Sequence, residues 1–233
     1  MKAIGLIGGV SWESSAEYYR LINQAVKSRL GGLHSAELVM CSLDFEPIAR
    51  LEHDEQWDQL AAVLIAAARK LEVAGASFVL IASNTLHKVA PQMQAQLGIP
   101  LVHVADAVAE AVTRAGVLSV GLLGTRFVMD QDFYRERLAA HGLKIVVPTE
   151  EARDFIHGLI YKELALGDIR ETSRSRVLEI IEELAKAGAA GIVLANTELP
   201  LLIRAEDTRA MVFDSMTIHV KKAVSVALAA ETV

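Results

Sequence analysis

The chain has 233 residues, enough for one large α/β domain or two lobes of about 100–120 residues each. Hydrophobic residues make up 52% and charged residues 22%, and the net charge is −6 with no basic block, which argues against long disorder and against nucleic acid as a partner. No apolar run reaches the roughly 18 residues of a membrane span, and the one cysteine, Cys41, excludes an internal disulfide and a Cys-rich metal site.

The opening MKAIGLIGG is too short an apolar run for a secretory signal and leads into a strand pattern over 2–7. Further strands are predicted over 37–43, 77–82, 101–104, 118–123, 144–147, 191–195 and 211–213. Helical patterns lie between them. In 57–73, Leu60, Val63, Leu64, Ala67 and Leu71 fall on one stripe. Gly31-Gly32 and Gly167 read as helix-ending glycines. Continuous apolar strands separated by helices indicate a parallel sheet covered on both faces. A single cysteine suits a reducing compartment, so a cytoplasmic location is expected.

The chain also repeats itself. "IGLIGGVSWESSAEYYRLI" (4–22) lies over "VGLLGTRFVMDQDFYRERL" (120–138), with Gly5, Leu6, Gly8 and Tyr18 recurring as Gly121, Leu122, Gly124 and Tyr134. "AGASFVLIASNTL" (74–86) lies over "AGAAGIVLANTEL" (187–199), aligning Ser83 with Asn196, Asn84 with Thr197 and Thr85 with Glu198. Asp106 in "VADAV" pairs with Asp214 in "VFDSM". A duplicated α/β unit follows, with two pseudo-symmetric lobes expected at 1–101 plus 212–233 and at 102–211. In open parallel sheets ligands bind beyond the carboxyl ends of the strands. Two such lobes facing each other would bring those ends to one cleft.

Each repeated motif is a strand, a short polar turn and a helix start. Asn84, Thr85 and Thr197 suit helix capping. They equally suit a carboxylate cradle, because helix starts offer backbone N–H groups. Ser11 and Thr125 follow the first strand of each repeat, beside Gly8-Gly9 and Gly124, whose lack of a side chain permits close backbone approach. By spacing alone Lys162 in "LIYKEL" reads as an exposed helix lysine. Trp12 and Tyr18 are candidates to wall a cleft, although the recurrence of Tyr18 at Tyr134 favours core packing for the tyrosines.

Taken together, "GLIGGVSWESSAEYY", "ASNTLHKV", "LLGTRFVMDQDFY", "LIYKELALG", "ANTELPLLI" and "VFDSMTIH" resemble the cofactor-independent aspartate/glutamate racemase superfamily, most closely its aspartate racemase branch. The resemblance implies two α/β lobes with the active site in the cleft between them, and no pyridoxal cofactor or metal. It also implies a small amino acid or dicarboxylate as substrate and a homodimer. In that family one cysteine from each lobe flanks the substrate α-carbon, in patterns like C-N-T-x-H and G-C-T-E. The matching positions here are Ser83 and Asn196. His87 matches the family histidine of the first pattern, and Glu198 the glutamate of the second. The resemblance also carries Lys162 over as a binder of the substrate's side-chain carboxylate.

The substitutions change the expected chemistry. A thiol titrates near pH 8.5 and is readily tuned into a base. A serine hydroxyl needs a partner to take its proton, which His87 could supply, and an amide only hydrogen-bonds. Each general acid or base contributes about 10²–10⁴-fold, so two-thiol racemisation should be severely impaired. Cys41 lies on another strand and reads as a small buried hydrophobe. Two other readings share the scaffold: a lyase or decarboxylase acting on a small carboxylate, and a non-catalytic amino-acid or dicarboxylate-binding protein.

Overall fold

The computed structural model describes residues 1–229. In chain order the elements are β1 (Ile4–Gly8), α1 (Trp12–Leu30), β2 (Leu38–Ser42), α2 (Phe45–His53), α3 (Trp57–Val73) and β3 (Phe78–Ile81). A 3₁₀ turn, Thr85–Val89, leads to α4 (Ala90–Gln94) and α5 (Val104–Arg114). Then come β4 (Ser119–Gly124), α6 (Arg126–Asp130), α7 (Asp132–Ala140), β5 (Lys144–Val146), α8 (Glu150–Lys162) and α9 (Glu171–Lys186). The chain continues through β6 (Gly191–Ala195), α10 (Leu199–Leu202), β7 (Met211–Asp214) and α11 (Ser215–Leu228).

Two parallel sheets form, ordered β2-β1-β3 and β5-β4-β6-β7. The α/β class read from the sequence is therefore the observed one. Contacts divide the chain into one unit of Met1–His103 with the segment from His219, and a second of Val104–Ile218. In the first, β1 pairs with β2 and β3 in register, Ile7 facing Cys41 and Ile81. In the second, β4 pairs with β5 and β6, and β6 pairs with β7.

Three expectations change. The strand expected at 101–104 shrinks to a single bridge, Leu101 to Val79, because α5 begins at Val104. Residues 212–218, expected in the N-terminal lobe, stay with the second unit: β7 is hydrogen-bonded to β6, and the return to the first unit comes at His219. The rest of that expected segment, 230–233, lies outside the described residues. The Asp106–Asp214 match also shifts. Val79 and Ile192 occupy the same repeat position, and they face Leu101 and Val212 respectively. α5 and α11 begin in the same register, at Val104 and Ser215. His103, not Asp106, is therefore the counterpart of Asp214.

Helix α3 shows how the core forms. Leu60, Leu64, Ala67 and Leu71 are buried against Ile7 and Ile81 as the stripe predicts. Ala61 and Ala68 extend the buried face to one side, which leaves Val63 on the opposite flank and 37% exposed. In the second unit the sheet is covered on both faces. One face packs Ile156, Ile160, Val177, Ile181 and Ile192, and the other packs Val108, Val112, Leu122, Tyr134 and Val193. Tyr18 and Tyr134 are both core residues, as their recurrence suggested. Trp12 is 69% exposed at the start of α1.

The glycines of the first turn serve the chain itself rather than a ligand. Gly9 has φ +82°, and a Cβ there would lie 2.0 Å from the Leu43 carbonyl oxygen. The close approach lets the Leu43 N–H reach the Gly8 carbonyl at 2.9 Å, tying the end of β1 to the loop after β2. Gly9→Ala combines a disfavoured backbone conformation with a backbone clash. It is expected to destabilise the fold by at least about 2 kcal/mol, measured by urea denaturation.

Candidate active site

In each unit, parallel pairing sets two polar turns side by side at the carboxyl edge of the sheet. β1 ends before Ser11 and its neighbour β3 ends before Ser83. β4 ends before Thr125 and its neighbour β6 ends before Asn196, with Gly124 and Ala195 in register. The sequence candidates therefore gather as two sets: Ser11, Ser83, Asn84, Thr85 and His87 in the first unit, and Thr125, Asn196, Thr197 and Glu198 in the second.

Ser11 caps α1. Its hydroxyl accepts from the Ser14 N–H at 3.3 Å, and Ser15 donates to the Ser11 carbonyl at 2.8 Å. Ser15 Oγ also accepts the Gly9 N–H at 2.7 Å, which locks the turn.

The cap bond of the first turn comes from a residue other than the expected Asn84. Asn84 precedes the 3₁₀ turn but makes no side-chain cap bond. It is Ser83 whose Oγ accepts from the Leu86 N–H, at 3.4 Å. In the repeat, Asn196 Oδ1 accepts from both the Glu198 and Leu199 N–H groups, each at 2.9 Å. Ser83 to Leu86 and Asn196 to Leu199 are the same three-residue bond in the two repeats. Thr197 Oγ1 donates to Glu198 Oε2 at 2.8 Å. Asn84, Thr85, Thr125, Thr197 and Glu198 are all buried.

The two accepted bonds also fix the orientation of the Asn196 amide, because only its oxygen accepts. Its NH₂ has no hydrogen-bond partner among the described residues and is left as a donor.

His87 does not pair with the Ser83 hydroxyl. Its Nδ1–H donates to the Ser83 carbonyl at 2.6 Å. A carbonyl only accepts, so the neutral ring carries its proton on Nδ1 and its lone pair on Nε2. The ring lies 4.6 Å from His103 and 5.6 Å from His219, centroid to centroid. His219 is fully buried. Its Nε2–H donates to the Val102 carbonyl at 2.8 Å, and the Tyr18 hydroxyl donates to its Nδ1 at 2.9 Å. This packed imidazole group was not legible in the sequence. "TIHV" and "LVHV" show only histidines among apolar neighbours, with nothing to say that they meet.

In the second unit the turn after β4 is held by charge. Arg126 pairs with Asp130 at 2.7 Å and with Asp154, while Arg153 pairs with Asp130 at 2.7 Å. The Arg126 N–H donates to His157 Nδ1 at 3.2 Å. Lys162 ends α8, is exposed, and has no ion pair among the described residues. Arg50 pairs with Glu46 on its own helix at 2.9 Å and is largely exposed. Cys41 is half-buried on β2, a different strand from either turn. Among the described residues no group of His, Cys, Asp and Glu has the geometry of a metal site, and no helix is long and apolar enough to cross a membrane.

The chain belongs to the Asp/Glu/hydantoin racemase family, whose pattern matches residues 7–223. It is 45% identical to a candidate Asp/Glu racemase from Yersinia pestis, covering 98% of this chain and 100% of that one with a TM-score of 0.93. It is 36% identical to an aspartate racemase homologue from Pyrococcus horikoshii, covering 97% and 99% of the two chains with a TM-score of 0.85. The broad-specificity amino-acid racemase RacX of Bacillus subtilis is 21% identical over 148 residues, a match spanning 61% of this chain and 63% of that protein. Membership of this family places the chain among racemase-type proteins.

Two predictions follow from the buried groups. Burial pushes the His219 pKa down from 6.5 to about 4, against a smaller upward pull from the Val102 bond. Above pH 6.5 folded and unfolded states are both neutral. As pH falls from about 6.5 to about 4 the unfolded chain binds a proton that the fold refuses, so stability drops through that window by about 3 kcal/mol. His219→Gln keeps a donor and an acceptor but does not titrate, so its urea-derived stability should fall less between pH 7 and 4.

At the other turn, Asn196→Ala removes two bonds to backbone N–H groups. It should cost about 1 kcal/mol in the same assay, whereas Asn196→Asp keeps the cap and should cost less.

Proposed function

We propose that the chain is a racemase-type protein for a small amino acid or dicarboxylate, with proton transfer impaired at the two positions where the family's thiols are expected. Ser83 and Asn196 are those positions on the resemblance. Two-base racemisation needs a proton acceptor and a proton donor on opposite faces of one α-carbon.

One observation carries the proposal: Ser83 Oγ and Asn196 Oδ1 both accept backbone N–H groups of the turns they begin. Their acceptor capacity stabilises the fold, and what they offer a ligand is a hydroxyl proton and an amide NH₂. Both donors suit a carboxylate; neither an unactivated hydroxyl, which keeps one lone pair, nor an amide is suited to removing a proton. His87 Nε2 is the remaining basic atom of the first turn in this reading. Asn84, Thr85, Ser11, Thr125, Thr197, Glu198 and Lys162 are assigned as binders. The same reading takes the protein as a cytoplasmic homodimer that works without pyridoxal phosphate, which rests on the family resemblance and the cysteine usage.

The Asn196 amide favours one further reading, a protein that binds the amino acid and does not turn it over. An amide has no acid–base role near neutral pH.

Incubation with L- and D-aspartate, glutamate and neutral amino acids in D₂O, followed by NMR of the α-hydrogen, separates the readings. The wild-type chain is expected to exchange slowly if at all, while acidic amino acids raise its melting temperature. Ser83→Cys combined with Asn196→Cys should accelerate exchange by at least about 10²-fold. Fast wild-type exchange that survives both Ser83→Ala and Asn196→Ala would overturn the impaired-catalysis reading. Substrate loss with release of ammonia or carbon dioxide would indicate a lyase. Full exchange without enantiomer formation would show a single working base.

A further inference from the structure

A histidine of α8 is bonded to the turn after β4. His157 sits in the middle of α8, half-buried, with its ring fixed on two sides. Phe127 meets it edge-on at 6.0 Å and 81°, and Tyr161 lies 4.9 Å away at 58°. The Arg126 N–H donates to its Nδ1 at 3.2 Å. A nitrogen that accepts a backbone N–H carries no proton, so the ring is neutral and its proton is on Nε2. That Nε2–H has no hydrogen-bond partner among the described residues, although the ring's other contacts hold it in place.

The charges nearby keep the ring in this form. Burial holds its pKa below 6.5, and the Arg126 and Lys162 cations push the same way, against the carboxylates of Asp154 and Asp130. The Arg126 guanidinium is itself engaged by Asp130 and Asp154, so its charge is neutralised where it stands. Lys162 follows on the same helix without an ion pair among the described residues. Beside this turn His157 thus offers a directed imidazole N–H, and the exposed Lys162 offers an ammonium at the end of the same helix.

We propose that His157 is a ligand-binding residue, donating Nε2–H to a carboxylate oxygen of the bound acid at the turn after β4. This deepens the proposed function, since it rests on a carboxylate-bearing ligand, but it requires no turnover. The pairing divides the labour. Lys162 attracts the anion as a flexible point charge, and His157 sets its direction, because a ring held by a backbone N–H and two aromatic neighbours loses little freedom on binding.

The experiment uses the full chain with succinate, L-aspartate and D-aspartate as probes, and L-asparagine as the probe with one carboxylate fewer. Calorimetry gives affinity, and ¹⁵N-detected imidazole spectra report the His157 nitrogens. The unliganded protein should show an Nε2–H tautomer that titrates below the ordinary imidazole range. A dicarboxylate should shift the Nε2 resonance. His157→Phe should weaken binding by about 10- to 100-fold, as expected for a hydrogen bond to a charged acceptor, and His157→Gln should recover most of it.

If His157→Phe fails to fold, the wild-type spectra and the Gln variant decide. Binding with an unmoved His157 resonance and an unchanged Gln variant overturns the proposal while leaving the functional reading intact. A shift of Nε2 by succinate in a protein that never exchanges an α-hydrogen upholds it while the racemase reading fails. Binding of none of the probes overturns it outright. A weaker response to asparagine than to aspartate assigns the bond to the side-chain carboxylate, and an equal response assigns it to the α-carboxylate; both outcomes support the proposal.

Discussion

The first backbone N–H groups of a helix have no partner within it, and everything at the carboxyl edges of these two sheets is arranged around that constraint. Ser83 meets it after β3 with its hydroxyl, and Asn196 meets it after β6 with its amide oxygen. Serine and asparagine are among the best capping residues, whereas a thiol is a weak acceptor. Under the proposed correspondence with the family's thiol positions, the substitutions therefore exchange acid–base chemistry for a better-capped turn. This is the direction expected where activity depends on a strained or poorly satisfied group, since relieving the defect stabilises the fold at the expense of turnover. The exchange is not symmetric. A serine hydroxyl retains an O–H and could be activated by a neighbour, but the amide of Asn196 has nothing to give up.

The repeat explains why two such turns exist, and the sheet pairing corrects how the repeat is aligned. Apolar runs fix the first and third strands of each copy well, because these are buried on both faces and read as continuous hydrophobic sequence. The last strand is where the copies diverge. In the second unit it is a full strand, Met211–Asp214, and in the first it is one bridge at Leu101. A sequence alignment anchored on a shared aspartate slides across that difference. Backbone pairing does not, and it places His103 opposite Asp214. The second copy keeps a carboxylate that caps α11, accepting from the Met216 N–H at 2.9 Å, where the first copy has an imidazole packed on His87.

What the sequence revealed and what it hid follow one physical line. Strand positions, the α3 stripe, the helix-ending glycines at Gly31 and Gly167, and the candidate turns depend on local pattern and were legible. The identity of the capping side chains was not. Asn84, Thr85, Thr197, Ser83 and Asn196 are all competent caps, and only the path of the backbone decides which is used. The imidazole cluster was hidden for a different reason. His87, His103 and His219 lie on three separate elements, and no local signal says that they converge. The same holds for His157, whose bond to the Arg126 N–H joins α8 to the start of α6.

The two units solve the same architectural problem with opposite electrostatics. Around the Ser83 turn the buried groups are imidazoles and hydroxyls: His219 bonds a hydroxyl and a carbonyl through its two ring nitrogens, and His87 bonds the Ser83 carbonyl. Around Thr125 the groups are charged, with Arg126, Arg153, Asp130 and Asp154 in one network whose members are partly open to solvent. A neutral buried network responds to pH and is indifferent to salt, because it matters only when a proton forces a charge into the interior. A half-exposed ionic network responds to salt and hardly to pH near neutrality, because its partners stay ionised while counterions screen them. One fold, duplicated, thus holds its two polar turns by forces that fail under different conditions. Acid should loosen the Ser83 side first, and high ionic strength should loosen the Thr125 side first.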